Sequence, residues 1–221
     1  MSKHVVVDLE MCQVLRGMRC KEYRHSREII QIGAVLLDEN YNIIDKFSTF
    51  VRPEYGWITS EIEKLTGITA ENLIGAKHLN EAMQEFANWI PDEDVSMVEW
   101  SDSDEKQLRT EIEAKLINNE KINRLIDSTV DCQRLFAEKM NESRQYNLTN
   151  ALIAADIMPE GREHDGLADA YNTALLFAKL SLNEVLTLNP IYEKARSEDV
   201  EHLEFSISSL FNGINLAALP A

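Results

Sequence analysis

Two acidic residues, Asp8 and Glu10, close the apolar, β-branched run His4-Val5-Val6-Val7-Asp8-Leu9-Glu10. In an extended chain, residues two apart point to the same side, so both carboxylates share one face. Held that close, like charges need a counter-charge, and a pair of divalent cations would supply it. A polar strand end open to solvent would relieve the same repulsion, and for an Asp-x-Glu taken alone that is the simpler account. What this pair does therefore depends on partners elsewhere in the chain.

Candidate partners stand at two later places. The strand-like segment 95–100 (VSMVEW) is followed by Ser101-Asp102-Ser103-Asp104, which leads into a helix expected to carry Leu108, Ile112 and Leu116 on one face. A carboxylate thus sits where a strand gives way to a helix, the usual ligand position in open α/β sheets. Further on, Glu163-His164-Asp165-Gly166-Leu167-Ala168-Asp169 runs into the helical stretch AYNTALLF, with His164 just ahead of the helix and Asp169 in its first turns. Asp165 has the position of a helix N-cap. Asp169 alone would read as a surface acid favoured by the helix dipole, but its neighbours Leu167, Ala168 and Ala170 suggest a helix start tucked into the domain. His164-Asp165 also spells the dyad of another class of metal-dependent phosphohydrolases, yet His4, His25, His78 and His202 do not complete that set.

The elements that must position these groups follow from periodicity. Segments 28–37 (EIIQIGAVLL) and 42–51 (NIIDKFSTFV) are strand-like, and the residues between them have hairpin-turn composition. With the first run they predict a three-stranded antiparallel start, in which Gly33 marks a bulge or a close backbone approach. Ser60 and Glu63 have capping-box spacing, with Gly67 placed to end that helix. Leu79, Met83, Phe86, Ala87 and Ile90 recur at helical spacing up to Pro91 and read as core. A short strand is expected at 128–132 and helices at 133–140 and 148–155, the latter closed by Pro159 and Gly161. Residues 1–180 are expected to form one domain. Residues 181–221, with an apolar tail (FSISSLFNGINLAALPA), are expected to pack on that domain or to form a contact between two copies in a homodimer.

Composition narrows the function classes. A 221-residue chain with 44% hydrophobic residues suits one sizeable domain. Its net charge of −16, from 38 acids against 22 bases, opposes a broad electrostatic grip on long nucleic acid, though not a site that handles a short end. Arg16, Arg19, Lys21, Arg24 and Arg27 form the densest basic cluster, in a loop that leaves the Asp8/Glu10 strand end. Holding a phosphate backbone over the two acids and balancing local acids in solvent account for it equally well. Cys12, Cys20 and Cys132 lack zinc-site spacing; an odd count with no signal peptide predicts reduced thiols, buried as small apolar groups, in the cytoplasm. No apolar run approaches membrane-spanning length, so no membrane partner is expected.

Asp-x-Glu on a first strand, an Asp at a strand-to-helix junction with Leu108 four residues on, and His-x4-Asp opening a late helix form an ordered set. The set resembles the DEDD superfamily of 3′-to-5′ exonucleases in its histidine subclass. The Ile-Gly-Ala-Val strand, Leu65-Thr66-Gly67-Ile68 and HDGLADAYNTALLF share the resemblance, and the arginine-bearing insertion with WSDSD looks closest to the branch that trims RNA 3′ ends. It covers roughly residues 4–180 and implies an RNase-H-like α/β fold, a mixed five-stranded sheet flanked by helices. It further implies that Asp8, Glu10, Asp104 and Asp169 are acidic metal ligands and that His164 is the general base. Asp102 competes for the third position, but Leu108 follows Asp104 at the family's spacing. Ser101 and Ser103 stand where that branch tends to have Gly and a larger residue.

Elementary chemistry agrees with this assignment. Hard oxygen ligands with no Cys favour Mg²⁺ or Mn²⁺ over zinc. Two such ions about 3.5 to 4 Å apart can polarise a scissile phosphate and lower the pKa of an attacking water. A histidine, titrating near pH ~6.5, is able to take that water's proton. The expected partner is a nucleic acid 3′ end, single-stranded RNA favoured with DNA as the alternative, with nucleoside 5′-monophosphates released. A DNA proofreading or repair exonuclease, and a non-catalytic binding module with a vestigial metal site, are the competing expectations.

Overall fold

The apolar opening run becomes β1 (Lys3–Gln13), the middle strand of a five-stranded sheet ordered β3-β2-β1-β4-β5. β2 (Arg27–Leu37) pairs antiparallel with β1, and β3 (Ile43–Phe50) antiparallel with β2. On the other side β4 (Val95–Glu99) runs parallel to β1, and the two-residue β5 (Val130–Asp131) runs parallel to β4. This is the expected mixed sheet with an antiparallel N-terminal half. The computed structural model describes residues 2–141, 146–183 and 185–192.

Eight helices occur among the described residues: α1 (Ser60–Thr66), α2 (Ala70–Ile74), α3 (Leu79–Trp89), α4 (Ser103–Ala114), α5 (Glu120–Asp127), α6 (Cys132–Met140), α7 (Leu148–Ala154) and α8 (Gly166–Leu182). They form two layers because β1 alternates. Val5, Val7 and Leu9 pack with Leu79, Met83 and Phe86 of α3, Leu108 and Ile112 of α4, and Leu125 of α5. Val6, on the opposite face, packs with Phe136 of α6, Leu152 of α7 and Ala174 and Phe177 of α8. By the same alternation Asp8 and Glu10 share Val6's face, the side covered by α8. β2 is buried along nearly its whole length, as a mostly apolar strand covered on both faces requires.

α8 reaches this sheet through a backbone-to-backbone contact. A Cβ on Gly33 would lie 2.1 Å from the carbonyl carbon of Gly166 and 2.3 Å from the Leu167 nitrogen. Gly33 therefore marks a close approach; the register irregularity of this pair lies elsewhere, between Glu10 and Met11. Gln31 secures the contact, its Oε1 accepting from the Gly166 N–H at 3.1 Å. Replacing Gly33 by alanine should force the start of α8 off the sheet, because both colliding partners are backbone and neither can rotate away. A loss of about 1–3 kcal/mol is expected from overpacking alone. Gly17→Ala, which meets nothing within 4 Å, is the control. Equal thermal midpoints for the two variants would contradict this packing.

Local expectations differ from the structure in two places. The cap of α1 is Thr59, which accepts from Ile62 N, one residue before the expected Ser60, because the chain turns helical only after Thr59. Leu116 does not continue the α4 face. The helix ends at Ala114, Leu116 adopts a left-handed φ of 54° and is 90% exposed, and Ile117 packs on the core instead. The Ile117 N–H reaches back to the Ile112 carbonyl at 2.9 Å, a Schellman-type closure that swings Leu116 outward.

Residues 185–192 lie on the second helical layer, where Leu186 and Tyr192 are buried. The expectation for the tail beyond 192 lies outside the described residues. No helix among the described residues is long and apolar enough to cross a membrane.

Candidate active site

At the C-terminal ends of the parallel strands β1 and β4 lies a cavity of about 460 Å³ lined by Asp8, Glu10, Asp104, His164 and Asp169, with Arg27 in its wall. The pairing of β1 with β4 brings the end of β4, and so the start of α4, beside the two β1 acids. Asp104, in the first turn of α4, is buried, whereas Asp102 is exposed and ion-paired with Lys106. Geometry thus separates the two aspartates that competed in the sequence.

From the other side α8 supplies Asp169. Asp165 caps this helix, accepting from the Leu167 and Ala168 N–H groups at 3.1 Å each. Asp169 Oδ2 accepts from the backbone N–H of His164 at 2.8 Å, and His164 holds a left-handed φ of 61°. One ligand atom each from Glu10, His164 and Asp169 lie within 4.8 Å of one another, a spacing able to hold a metal ion.

The electrostatics show a deficit of positive charge. Burial and the neighbouring carboxylates of Asp104, Asp169 and Glu10 hold Asp8 well above the ordinary carboxylate range. Asp104 is raised in the same way, by burial first and then by Glu99 and Glu10, against a small opposing effect of Arg27. Glu10 is pushed up to about 8 by burial, Asp169 and Asp165. Burial raises Asp169 too, although the hydrogen bond from His164 opposes it. Four clustered carboxylates whose ionisation is this unfavourable are suited to divalent cations, and their hard oxygen donors suit Mg²⁺ or Mn²⁺.

A pH dependence of stability follows. Glu10 is raised from its ordinary value of 4.5 to about 8, so its contribution is full below pH 4.5 and is lost as pH climbs through about 8. Glu99, buried and also pushed up to about 8, acts in the same direction. Protein in EDTA should therefore melt at a higher temperature at pH 5 than at pH 8, and Mg²⁺ should raise the midpoint more at pH 8. Equal midpoints across that range would contradict the charge deficit.

Of the five basic residues singled out in the sequence, only Arg27 lines the cavity; Arg16, Arg19, Lys21 and Arg24 lie exposed on the loop between β1 and β2. The loop is anchored by Tyr23, wholly buried, stacked on Tyr55 and donating to the Arg27 carbonyl. Cys12 and Cys132 are buried and free, and burial pushes the Cys12 thiol up to about 12. Gln31 and Asn172 escaped the sequence reading. Gln31 interrupts an apolar strand and Asn172 lies on the buried side of a mostly apolar helix, and a buried amide needs partners, which was the available signal.

The chain matches the RNase T model of the exonuclease family over residues 5–177 and belongs to that family. Human ERI1 exoribonuclease 2 is 30% identical over 185 residues, covering 72% of this chain and 26% of that protein, so the chain spans about a quarter of that relative. The nuclease domain of 3′hExo, described as a DEDDh family member bound to rAMP, superposes with a TM-score of 0.71 at 20% identity, covering 85% of this chain and 96% of that one. The cell-death related nuclease CRN-4 superposes with a TM-score of 0.70 at 18% identity, covering 86% and 67%. At these identities the superpositions establish the RNase-H-like fold. The chain is thus an exonuclease-family domain with an RNase-H-like fold.

Proposed function

We propose that this chain removes nucleotides one at a time from the 3′ end of single-stranded RNA, using two divalent cations and releasing nucleoside 5′-monophosphates. The convergence of Asp8, Glu10, Asp104, His164 and Asp169 on one cavity carries the reading. Asp8, Glu10, Asp104 and Asp169 would hold the cations. When bound, these supply polarisation of the scissile phosphate, acidification of the attacking water and stabilisation of the departing 3′ oxygen.

The protein's own groups do the rest. His164 accepts the water's proton on an imidazole nitrogen, and Asp169, bonded to its backbone N–H, keeps that residue at the cavity. Arg27 in the wall offers a guanidinium to a phosphate, while Arg16, Arg19, Lys21 and Arg24 on the adjoining loop would follow the backbone upstream. A cavity of about 460 Å³ suits one terminal nucleotide and not a base-paired duplex. The likeness to an ERI1 exoribonuclease favours RNA over DNA.

Digestion of matched 5′-labelled RNA and DNA strands in Mg²⁺ or Mn²⁺ tests this directly. A stepwise ladder from the 3′ end, faster on RNA, with nucleoside 5′-monophosphates as product is expected, and EDTA or Asp8→Asn should abolish it. Activity surviving Asp8→Asn would reject the site, and equal rates on both strands would reject the RNA preference.

A further inference from the structure

His164 sits on an irregular segment, residues 159–165, between α7 and α8. Such a segment has no helix or sheet ladder to fix it, and it passes through left-handed backbone at both Gly161 (φ 77°) and His164 (φ 61°). A conformation of that kind persists only where its surroundings over-determine it. Contacts to α8 and α1 do so, beside the Thr149 hydroxyl of α7, which donates to Glu163 at 3.0 Å.

Asn172 is one of them. It lies on α8 three residues beyond Asp169, hence on the same helix face, and is 3% exposed. Its Nδ2 donates to the Glu160 carbonyl at 2.9 Å and its Oδ1 accepts from the Glu160 N–H at 2.9 Å. One side chain thereby satisfies both backbone polar groups of Glu160, a residue that no regular element supports. Arg162 is the other. Its Nη2 donates to the Lys64 carbonyl at 2.7 Å and the Leu65 carbonyl at 3.3 Å, in the last turn of α1. Those carbonyls are free because the helix ends there, and its dipole favours a cation at that end. Gly67 leaves the space: a Cβ there would fall 1.7 Å from Arg162 Nη1.

We infer that Asn172 and Arg162 are positioning residues for His164, holding the segment on which the imidazole is carried at the height of the acidic cavity. Asn172 fixes the start of the segment at Glu160, Arg162 ties its middle to α1, and Asp169 receives its end through the His164 N–H. The inference rests on the reading of His164 as general base. It extends that reading by assigning the precision of the base to two side chains outside the cavity lining, one of them on an exposed surface.

A double-mutant cycle on the full chain, with a 5′-labelled single-stranded RNA, tests it. Arg162→Ala should lower kcat about 10- to 100-fold through misplacement of the base, with KM nearly unchanged. Arg162→Lys, which can reach the same carbonyls, should recover part of the loss. In a His164→Ala background the Arg162→Ala effect should disappear, and imidazole added to rescue His164→Ala should rescue the double variant to the same rate. Asn172→Ala should behave like Arg162→Ala; should it fail to fold, the exposed Arg162 decides the question.

The outcomes separate the two readings. If His164→Ala retains full activity, the base assignment falls and this inference with it. If His164→Ala is strongly impaired but retains a measurable rate while Arg162→Ala costs the same factor in both backgrounds, or acts mainly on KM, the base assignment stands and the positioning role is overturned. Unchanged kcat in Arg162→Ala would overturn it as well.

Discussion

Asp104→Asn is expected to reduce the exonuclease rate on the order of 10³-fold or more while making the cation-free protein more stable. The rate loss follows from removing one of four carboxylates proposed to hold the cations, since metal stabilisation of the transition state is worth several kcal/mol. The gain in stability has a separate cause. Asp104 is 5% exposed and its ionisation is opposed by burial and by Glu99 and Glu10. A neutral amide of the same shape still accepts the Leu9 backbone hydrogen bond and relieves the repulsion. Digestion assays in Mg²⁺ together with thermal melts in EDTA at pH 8 measure both effects. A variant that is inactive but less stable than the parent in EDTA would show that Asp104 serves the fold, and the electrostatic reading of the cavity would fail.

The second large effect lies away from the cavity. Lys115→Met should destabilise the protein by about 3–5 kcal/mol, because it leaves buried carboxylates unpaired. Lys115 Nζ lies 2.7 Å from Glu28 and 3.0 Å from Glu111, both wholly buried, and 3.1 Å from Glu54. Glu28 also gathers the backbone N–H groups of Glu54, Tyr55 and Gly56 at 2.8, 2.8 and 2.6 Å, and Glu111 accepts from Ile29 N at 2.9 Å. Burial opposes the charge on Lys115, but Glu111 and Glu28 outweigh it and hold the ammonium above its ordinary range. Glu111 is pushed up to about 7 by burial even with Lys115 beside it. For a chain of this size the loss corresponds to a midpoint lower by roughly 6 to 20 °C. The defect should shrink at pH 5, where Glu111 can take a proton, and in the double variant with Glu111→Gln. A midpoint unchanged at pH 8 would show that the cluster is solvated and not a buried network.

That network also bears on the active site. Glu28 follows Arg27 directly in β2, and Tyr23, stacked on Tyr55, packs against the same cluster with Lys115 Nζ 5.8 Å from its ring centroid. The loop carrying Arg16, Arg19, Lys21 and Arg24 is thereby tied down at its base while its tip stays in solvent. A loss of the Lys115 anchor should therefore weaken RNA binding in addition to stability, provided the loop contacts the strand as proposed.

Much of the local architecture was present in the residues themselves. Alternation in the opening run placed Asp8 and Glu10 on one face of a strand, helical spacing identified the buried side of α3, and Asp165 was recognisable as the cap of α8. Each of these depends on a few consecutive side chains, whose period and polarity are written in order along the chain. The sequence also held all five candidate site residues in order, and it was their resemblance to the histidine subclass of DEDD exonucleases that implied a cation-dependent phosphodiesterase.

Tertiary structure alone decided which of those groups meet. Asp104 was separated from Asp102 by burial, and Arg27 from the other four bases by its place in the cavity wall. Leu116, at helical spacing from Ile112, turned outward because the helix ended two residues before it, at Ala114. The contact that seats α8 joins Gln31 to Gly166 across 135 residues, and the ion pair between Lys115 and Glu28 spans 87. No periodicity encodes such pairs. They exist because burial makes an unpartnered charge or peptide group costly, and the partner that satisfies it is chosen by where the whole chain packs.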